Sequence, residues 1–391
     1  MNIEPFETAW HLISILLVFL LGLVIVFKIK TKLGLPTKMV LVLYFWHTIF
    51  SVIYMSYTLS NGGDSTGYYF AALNGDIELE FGTRLVEYFV FILVSYLDLS
   101  YLGLFLFFNI FGSIALIILY KILSDISKSC TRKIRRLATL SIFLPSASFW
   151  TSALGKDSIA FLAVCLALWA ALNLQKRKVL IGIAITLLLL VRPHMAGVMV
   201  LALAGSILFT RSNVSLLKRI ILGAVVIPIA AILVPFASNY AGIENLSDIN
   251  EVGGYVESRQ ASNLDGGSSV DIANMIYPVQ VFTYLFRPLP FEAHSLFSFI
   301  SSIDNLFLLC VFLYAIRYIK SPSNTKANHA FLWLYVILST SILAMTTANL
   351  GIAVRQKWMI LPILMYLLFA MISAYQTSQN KRIKPKKHTH S

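Results

Sequence analysis

Eight residues of this chain have the types and positions to carry polar chemistry: Asp64, Lys156, Arg192, His194, Arg287, Glu292, His294 and Arg355. Each lies in a polar stretch beside long apolar runs. Asp64 follows Asn61-Gly62-Gly63, and Lys156 follows Gly155 and precedes Asp157. Arg192 and His194 flank Pro193, while Arg287, Glu292 and His294 share the stretch Phe286-Arg287-Pro288-Leu289-Pro290-Phe291-Glu292-Ala293-His294. Arg355 lies between Asn349 and Lys357. Ionisable groups at a membrane are costly to place, so they are usually paired or functional. Arginine offers planar bidentate donors to phosphate oxygens, and lysine adds a point charge. Lys156, Arg192, His194, Arg287 and Arg355 are therefore expected to hold an anion such as a pyrophosphate, and to stabilise its charge as it departs. Asp64 is expected to act as the general base toward an acceptor hydroxyl, with Glu292 and His294 in reserve. No cofactor is required by this pattern, and a divalent metal at Asp64 remains an open alternative.

Each residue also has a plain structural explanation. Gly-Gly-Asp-Ser is ordinary turn chemistry. Lys156 and Asp157 would form a local ion pair, with Asp157 capping the next helix. Arg192, Arg287 and Arg355 would serve as headgroup anchors that snorkel out of the apolar layer. Lys357, Arg84 and Glu87 fit surface roles equally well. Trp10, Trp150 and Trp358 fit an interfacial belt. His47 is the lone buried candidate for acyl-transfer chemistry, and a satisfied core histidine accounts for it.

The elements that must position these residues are apolar helices. Of 391 residues, 58% are hydrophobic and 13% charged, about half the charged fraction of a soluble domain. Runs near the roughly 20 residues needed to cross a bilayer recur along the chain. The expected fold is all-α: a polytopic integral membrane protein with about 11 transmembrane helices, close to 11–27, 38–59, 101–120, 137–154, 158–174, 179–192, 195–210, 219–236, 297–316, 330–348 and 358–375. The pair at 179–210 is short enough for a re-entrant hairpin. Placing the N-terminus outside puts 24 of the 31 Lys and Arg, and Asp125 alone of the 18 acidic residues, on the inner side. The net charge of +13 then reflects orientation and anionic membrane lipids, and nucleic acid need not be invoked.

Residues 1–380 read as one membrane domain with outer loops at 60–100 and 237–296, and 381–391 as a basic cytoplasmic tail. Leu85–Leu97 is expected to lie in the outer interface as an amphipathic helix, and Asp265-Gly266-Gly267-Ser268-Ser269 to be a mobile lid or a plain connection. The first helix has no basic stretch before it and no small-residue cleavage site after it, so it is expected to be retained. Cys130, Cys165 and Cys310 give no disulfide framework.

At the polar outer motifs the sequence resembles bacterial polysaccharide-assembly proteins, namely Wzy-type oligosaccharide-repeat polymerases and GT-C-like glycosyltransferases. The resemblance rests on Gly63-Asp64 with Tyr68-Tyr69, and on Leu144-Pro145-Ser146 through Phe149-Trp150 to Lys156-Asp157. It continues in Arg192-Pro193-His194, Phe286-Arg287-Pro288 with Glu292-Ala293-His294, and Asn349 through Arg355 to Pro362. It implies a multi-pass enzyme of the bacterial plasma membrane that takes undecaprenyl-pyrophosphate-linked oligosaccharide on the outer face and transfers it to another glycan. O-antigen, capsule or exopolysaccharide would be the product, with other polysaccharide-assembly proteins as partners. GT-C proteins usually carry a catalytic acid in the first outer loop, which matches Asp64. The chain departs from several of those families in having no second acid beside Asp64 and no large C-terminal outer domain.

The competing class is a transporter or flippase of the same lipid-linked sugars. Transporters often carry repeated halves and ionisable groups near the midplane. Here no repeat is visible and the charges sit at outer helix ends. Clustering of Asp64, Arg192, Arg287 and Arg355 would favour transfer, and a polar path to the inner side would favour transport.

Overall fold

The computed structural model describes residues 3–75, 77–209, 216–241, 249–262, 268–319 and 327–383. Its elements are helical, with no strand among the described residues. In chain order they are α1 (Ala9–Leu33), α2 (Thr37–Asn61), α3 (Asp64–Asn74), α4 (Thr83–Leu97), α5 (Tyr101–Ser127), α6 (Arg132–Leu140), α7 (Pro145–Thr151) and α8 (Lys156–Ala171). They continue as α9 (Lys178–Val191), α10 (Pro193–Phe209), α11 (Leu216–Ala241), α12 (Ile249–Ala261), α13 (Tyr277–Phe286) and α14 (Leu296–Ile316). The last are α15 (His329–Thr346), α16 (Leu350–Gln356) and α17 (Leu361–Ile383), with short 3-10 turns at Pro290–Glu292 and Lys357–Met359.

Among the described residues, six helices are long and apolar enough to cross a membrane: α1, α2, α5, α14, α15 and α17. The burial of α1 shows what surrounds them. His11, Ser14, Val18, Gly22 and Val26 make one buried stripe at helical spacing. Leu12, Leu16, Leu20 and Val24 stand exposed on the remaining surface. That apolar exterior is the reverse of a soluble helix and suits contact with lipid.

The centre is α5 and α8, with α17 packed against both. Ala160, Ala163, Ala167, Ala170 and Ala171 of α8 are fully buried. Small side chains let helix backbones approach closely where the hydrophobic effect gives little drive. Helices α1 and α2 pack on α5, α9 packs on α8, and α10, α11 and α15 form a second group.

One expected crossing takes a different form. Residues 137–154 are two short helices, α6 and α7, interrupted at Ser141–Leu144. Pro145 is the first residue of α7 and Leu144 is extended (φ −62°, ψ 122°), because the proline ring disfavours a helical residue before it. The 179–210 pair is likewise two helices, α9 and α10, broken at Arg192 before Pro193.

The segments expected on the outer side are also more regular than the sequence suggests. Helix α4 occupies the stretch expected to be amphipathic, and Val86, Val90 and Leu93 are its buried stripe. In the stretch expected to be a lid, Asp265, Gly266 and Gly267 lie outside the described residues. Ser268 and Ser269 are tethered: Leu350 N donates to Ser268 O at 2.9 Å and Val270 N to Ala348 O at 2.9 Å. Residues 211–215 of the expected inner loop and 384–391 of the expected basic tail 381–391 also lie outside the described residues.

Candidate functional site

Two glycines set up the site. Gly63 (φ 154°) and Gly155 (φ 144°) turn the chain abruptly before α3 and α8. A Cβ on Gly155 would lie 2.9 Å from the Tyr68 ring, so the backbone there is also pressed against a side chain. Each glycine is followed by charged residues in a first helical turn, Asp64 in α3 and Lys156 with Asp157 in α8. Carboxylates at that end of a helix are favoured by its partial positive charge.

The connection that delivers Lys156 and Asp157 runs below the rim of the bundle. Thr151 Oγ1 lies 3.1 Å from His47 Nε2, and Ser51 Oγ donates to Ser152 O at 3.1 Å. His47 and Ser51 are well inside α2, so α7 and the turn after it are anchored midway along that helix. His47 is also bonded to Asn109 Oδ1 at 2.5 Å. It is a satisfied link between α2, α5 and α7.

Two distant segments converge on Asp157, and Asp64 joins them through Arg355. Arg192, in the break between α9 and α10, donates from Nη2 to Asp157 Oδ1 at 2.5 Å. Arg355, on α16, donates from Nε to Asp157 Oδ2 and from Nη2 to Asp64 Oδ2, the latter at 2.7 Å. Asn349 holds α16 in place by accepting from Gly351 N and Ile352 N. Lys156 Nζ donates to the Thr83 hydroxyl at 2.9 Å. The Trp150 ring lies beside Arg355, 5.7 Å from guanidinium carbon to ring centre. Asp157 is thus the hub of the site. The ion pair expected between Lys156 and Asp157 is replaced by the two guanidiniums.

The electrostatics follow from this packing. Burial alone would raise the Asp64 carboxyl, but the charge and hydrogen bond of Arg355, helped by Lys156, hold it below the usual carboxylate range. The Lys156 ammonium lies in the fields of Arg192, Asp64, Asp157 and Arg355. Three cations face two carboxylates, leaving the group one positive charge. Arg192 Nε and the Tyr68 hydroxyl are buried here without a hydrogen-bond partner among the described residues. Such an arrangement is suited to receiving an anion with several acceptor oxygens.

The other expected residues are placed differently. Arg287 pairs with Glu292, Nη2 to Oε1 at 2.5 Å, and Glu292 Oε2 accepts from Leu289 N at 2.7 Å. The two form a local clasp, with no bond to the Asp157 ring among the described residues. His294 Nε2 lies 3.3 Å from Ser268 Oγ at an exposed position. His194 is half-buried in the field of Arg192, Arg259 and Lys156.

Asp64 accepts from Arg355 through one oxygen, and Asp157 through one from Arg355 and one from Arg192. No group of three metal-ligating side chains forms among the described residues.

A second polar group lies next to the first and was hidden in the sequence. Lys357, two residues after Arg355, is fully buried and donates to Asn305 Oδ1 and to Leu285 O, the latter at 3.5 Å. Asn305 Nδ2 donates to Pro288 O at 2.9 Å, and Asp304 accepts from Ser146 N at 2.7 Å. These bonds join α7, α13, α14 and the turn after α16. The available signal was the Asp304-Asn305 pair inside an otherwise apolar run.

No protein-family model, curated protein or solved structure matches the chain.

Proposed function

We propose that this chain is a membrane glycosyltransferase, acting as a repeat-unit polymerase on the outer face of a bacterial plasma membrane. Its donor would be a glycan linked to undecaprenyl pyrophosphate. The observation that carries the reading is the convergence of Asp64, Lys156, Asp157, Arg192 and Arg355 in one group with a surplus positive charge. The positive-inside rule assigns all five to the outer side. In this reading the topology has eleven crossings: the six long helices, the shorter α8 to α11, and the broken α6–α7 pair. The N-terminus is outside and the C-terminus cytoplasmic.

Arg192, Arg355 and Lys156 hold the donor diphosphate and stabilise its charge as the glycosidic bond to it breaks. Asp64 accepts the proton of the acceptor hydroxyl as that oxygen bonds to the anomeric carbon. Asp157 keeps both guanidiniums aimed. No metal takes part in this scheme.

The test is deletion of the gene, with wild type, Asp64→Asn or Arg192→Ala restored at matched membrane levels. Lipid-linked glycans and surface polymer are then measured. Single repeat units on the outer face, with long polymer restored by wild type alone, are expected. Intermediates trapped on the inner face would replace this reading with a flippase. An unchanged glycan profile would remove both.

A further inference from the structure

The two carboxylates held by Arg355 are not equivalent. Asp157 has both oxygens engaged, one by Arg192 and one by Arg355, and its side chain is 7% exposed. Asp64 meets Arg355 through one oxygen at 2.7 Å, and its side chain is 47% exposed. The two residues are also supported differently. Asp157 begins a helix buried on almost every side, whereas Asp64 begins the eleven-residue α3, entered through Gly62 and Gly63. Moving Asp157 would strand two guanidiniums and a buried carboxylate. Moving Asp64 costs one exposed pairing that water can replace.

The surroundings of Arg355 are ready for an anion. Lys156 is bonded to a hydroxyl and not to a carboxylate. Tyr68, 2% exposed, directs no hydrogen bond to any described group, and Arg192 Nε is likewise unpartnered. The fields of Asp64, Arg355, Asp157 and Arg192 all reach the Tyr68 hydroxyl, which places it within the group.

We infer that Asp64 is a displaceable counter-ion that occupies Arg355 until a diphosphate headgroup takes its place, while Asp157 is the fixed counter-ion that stays. The inference rests on the function proposed above and adds an order of events to it. Arrival of the diphosphate on Arg355, Lys156 and Arg192 releases the Asp64 carboxylate. The released oxygen has lost its charged donor and becomes a better proton acceptor for the incoming hydroxyl. An acceptor arriving without a donor finds the base still bound to Arg355, which suppresses reaction out of turn.

The test is equilibrium binding of farnesyl diphosphate and of inorganic pyrophosphate to the purified full chain in nanodiscs. Neutral and phosphatidylglycerol-containing discs separate a diphosphate site from one that takes any anionic headgroup. Asp64→Asn and Asp64→Ala are expected to bind farnesyl diphosphate about two- to fivefold more tightly than wild type, the worth of one exposed ion pair no longer broken. The gain should disappear when Arg355→Ala is added. If wild type binds but neither Asp64 variant binds more tightly, or the gain survives without Arg355, displacement is wrong and the anion site stands. Loss of binding in phosphatidylglycerol discs alone would make the occupant a lipid headgroup and overturn the inference. Absence of binding by every form would overturn the inference and the proposed function together.

Discussion

Lys156 is the cation of the group that meets a hydroxyl and not a carboxylate. In the proposed function its ammonium adds a charge to the diphosphate seat, so Lys156→Ala should weaken farnesyl diphosphate binding about tenfold, the worth of one hydrogen bond to a charged group. Lys156→Arg should keep most of the affinity; unchanged binding by Lys156→Ala would remove Lys156 from the seat. Asp64, Lys156, Arg192 and Arg355 were legible in the sequence because each stands out against apolar neighbours beside a glycine, a proline or a helix end. Asp157 was misread as a local cap because its partners lie 35 and 198 residues away. Arg287 reads like the other arginines by type and by its place in a polar stretch on the expected outer side, yet its partner Glu292 is five positions away. Charge type was readable from the chain, and pairing was not.

At the scale of elements, the site depends on the short helix α7 and its seat between longer ones. Gly112 of α5 makes that seat, since a Cβ there would overlap Thr151 O and His47 Cε1. A backbone oxygen cannot step aside as a flexible side chain can. Gly112→Ala should lower stability by about 1–3 kcal/mol, the usual cost of overpacking a filled interior. Thermal unfolding in detergent measures this. Gly182→Ala on α9 is the control, because its Cβ would meet nothing within 4 Å; equal melting of the two variants would show that the seat is not tight. The sequence marked the breaks before α7 and α10 through Pro145 and Pro193. It did not show that α7 sinks to the level of His47, because long-range hydrogen bonds set that depth. Nor did it show the burial of Lys357, whose partners Leu285 and Asn305 are 72 and 52 residues away.

For the whole molecule, the function requires that the Asp157 ring face outward. Residues 77–82 and the segment from Ser129 to Arg136 then lie on opposite sides of the membrane. In a variant lacking Cys130, Cys165 and Cys310, Glu78→Cys should react with an impermeant thiol reagent on intact cells, and Lys133→Cys only after permeabilisation. The opposite pattern would invert the topology and remove an outer-face reaction with it. The apolar runs made an all-helical membrane protein legible, because lipid demands self-satisfied backbone and the chain shows this in composition. The ring itself has a bearing on biogenesis. Arg355 follows Asp157 by 198 residues and Asp64 by 291. Until synthesis passes residue 355, the nascent protein carries Asp157 with one guanidinium where the finished protein supplies two. The last cation of the group is thus also the last to be made: a chain released before Arg355 keeps a half-paired Asp157 among apolar helices, and one that passes it gains the second guanidinium and the group's surplus positive charge.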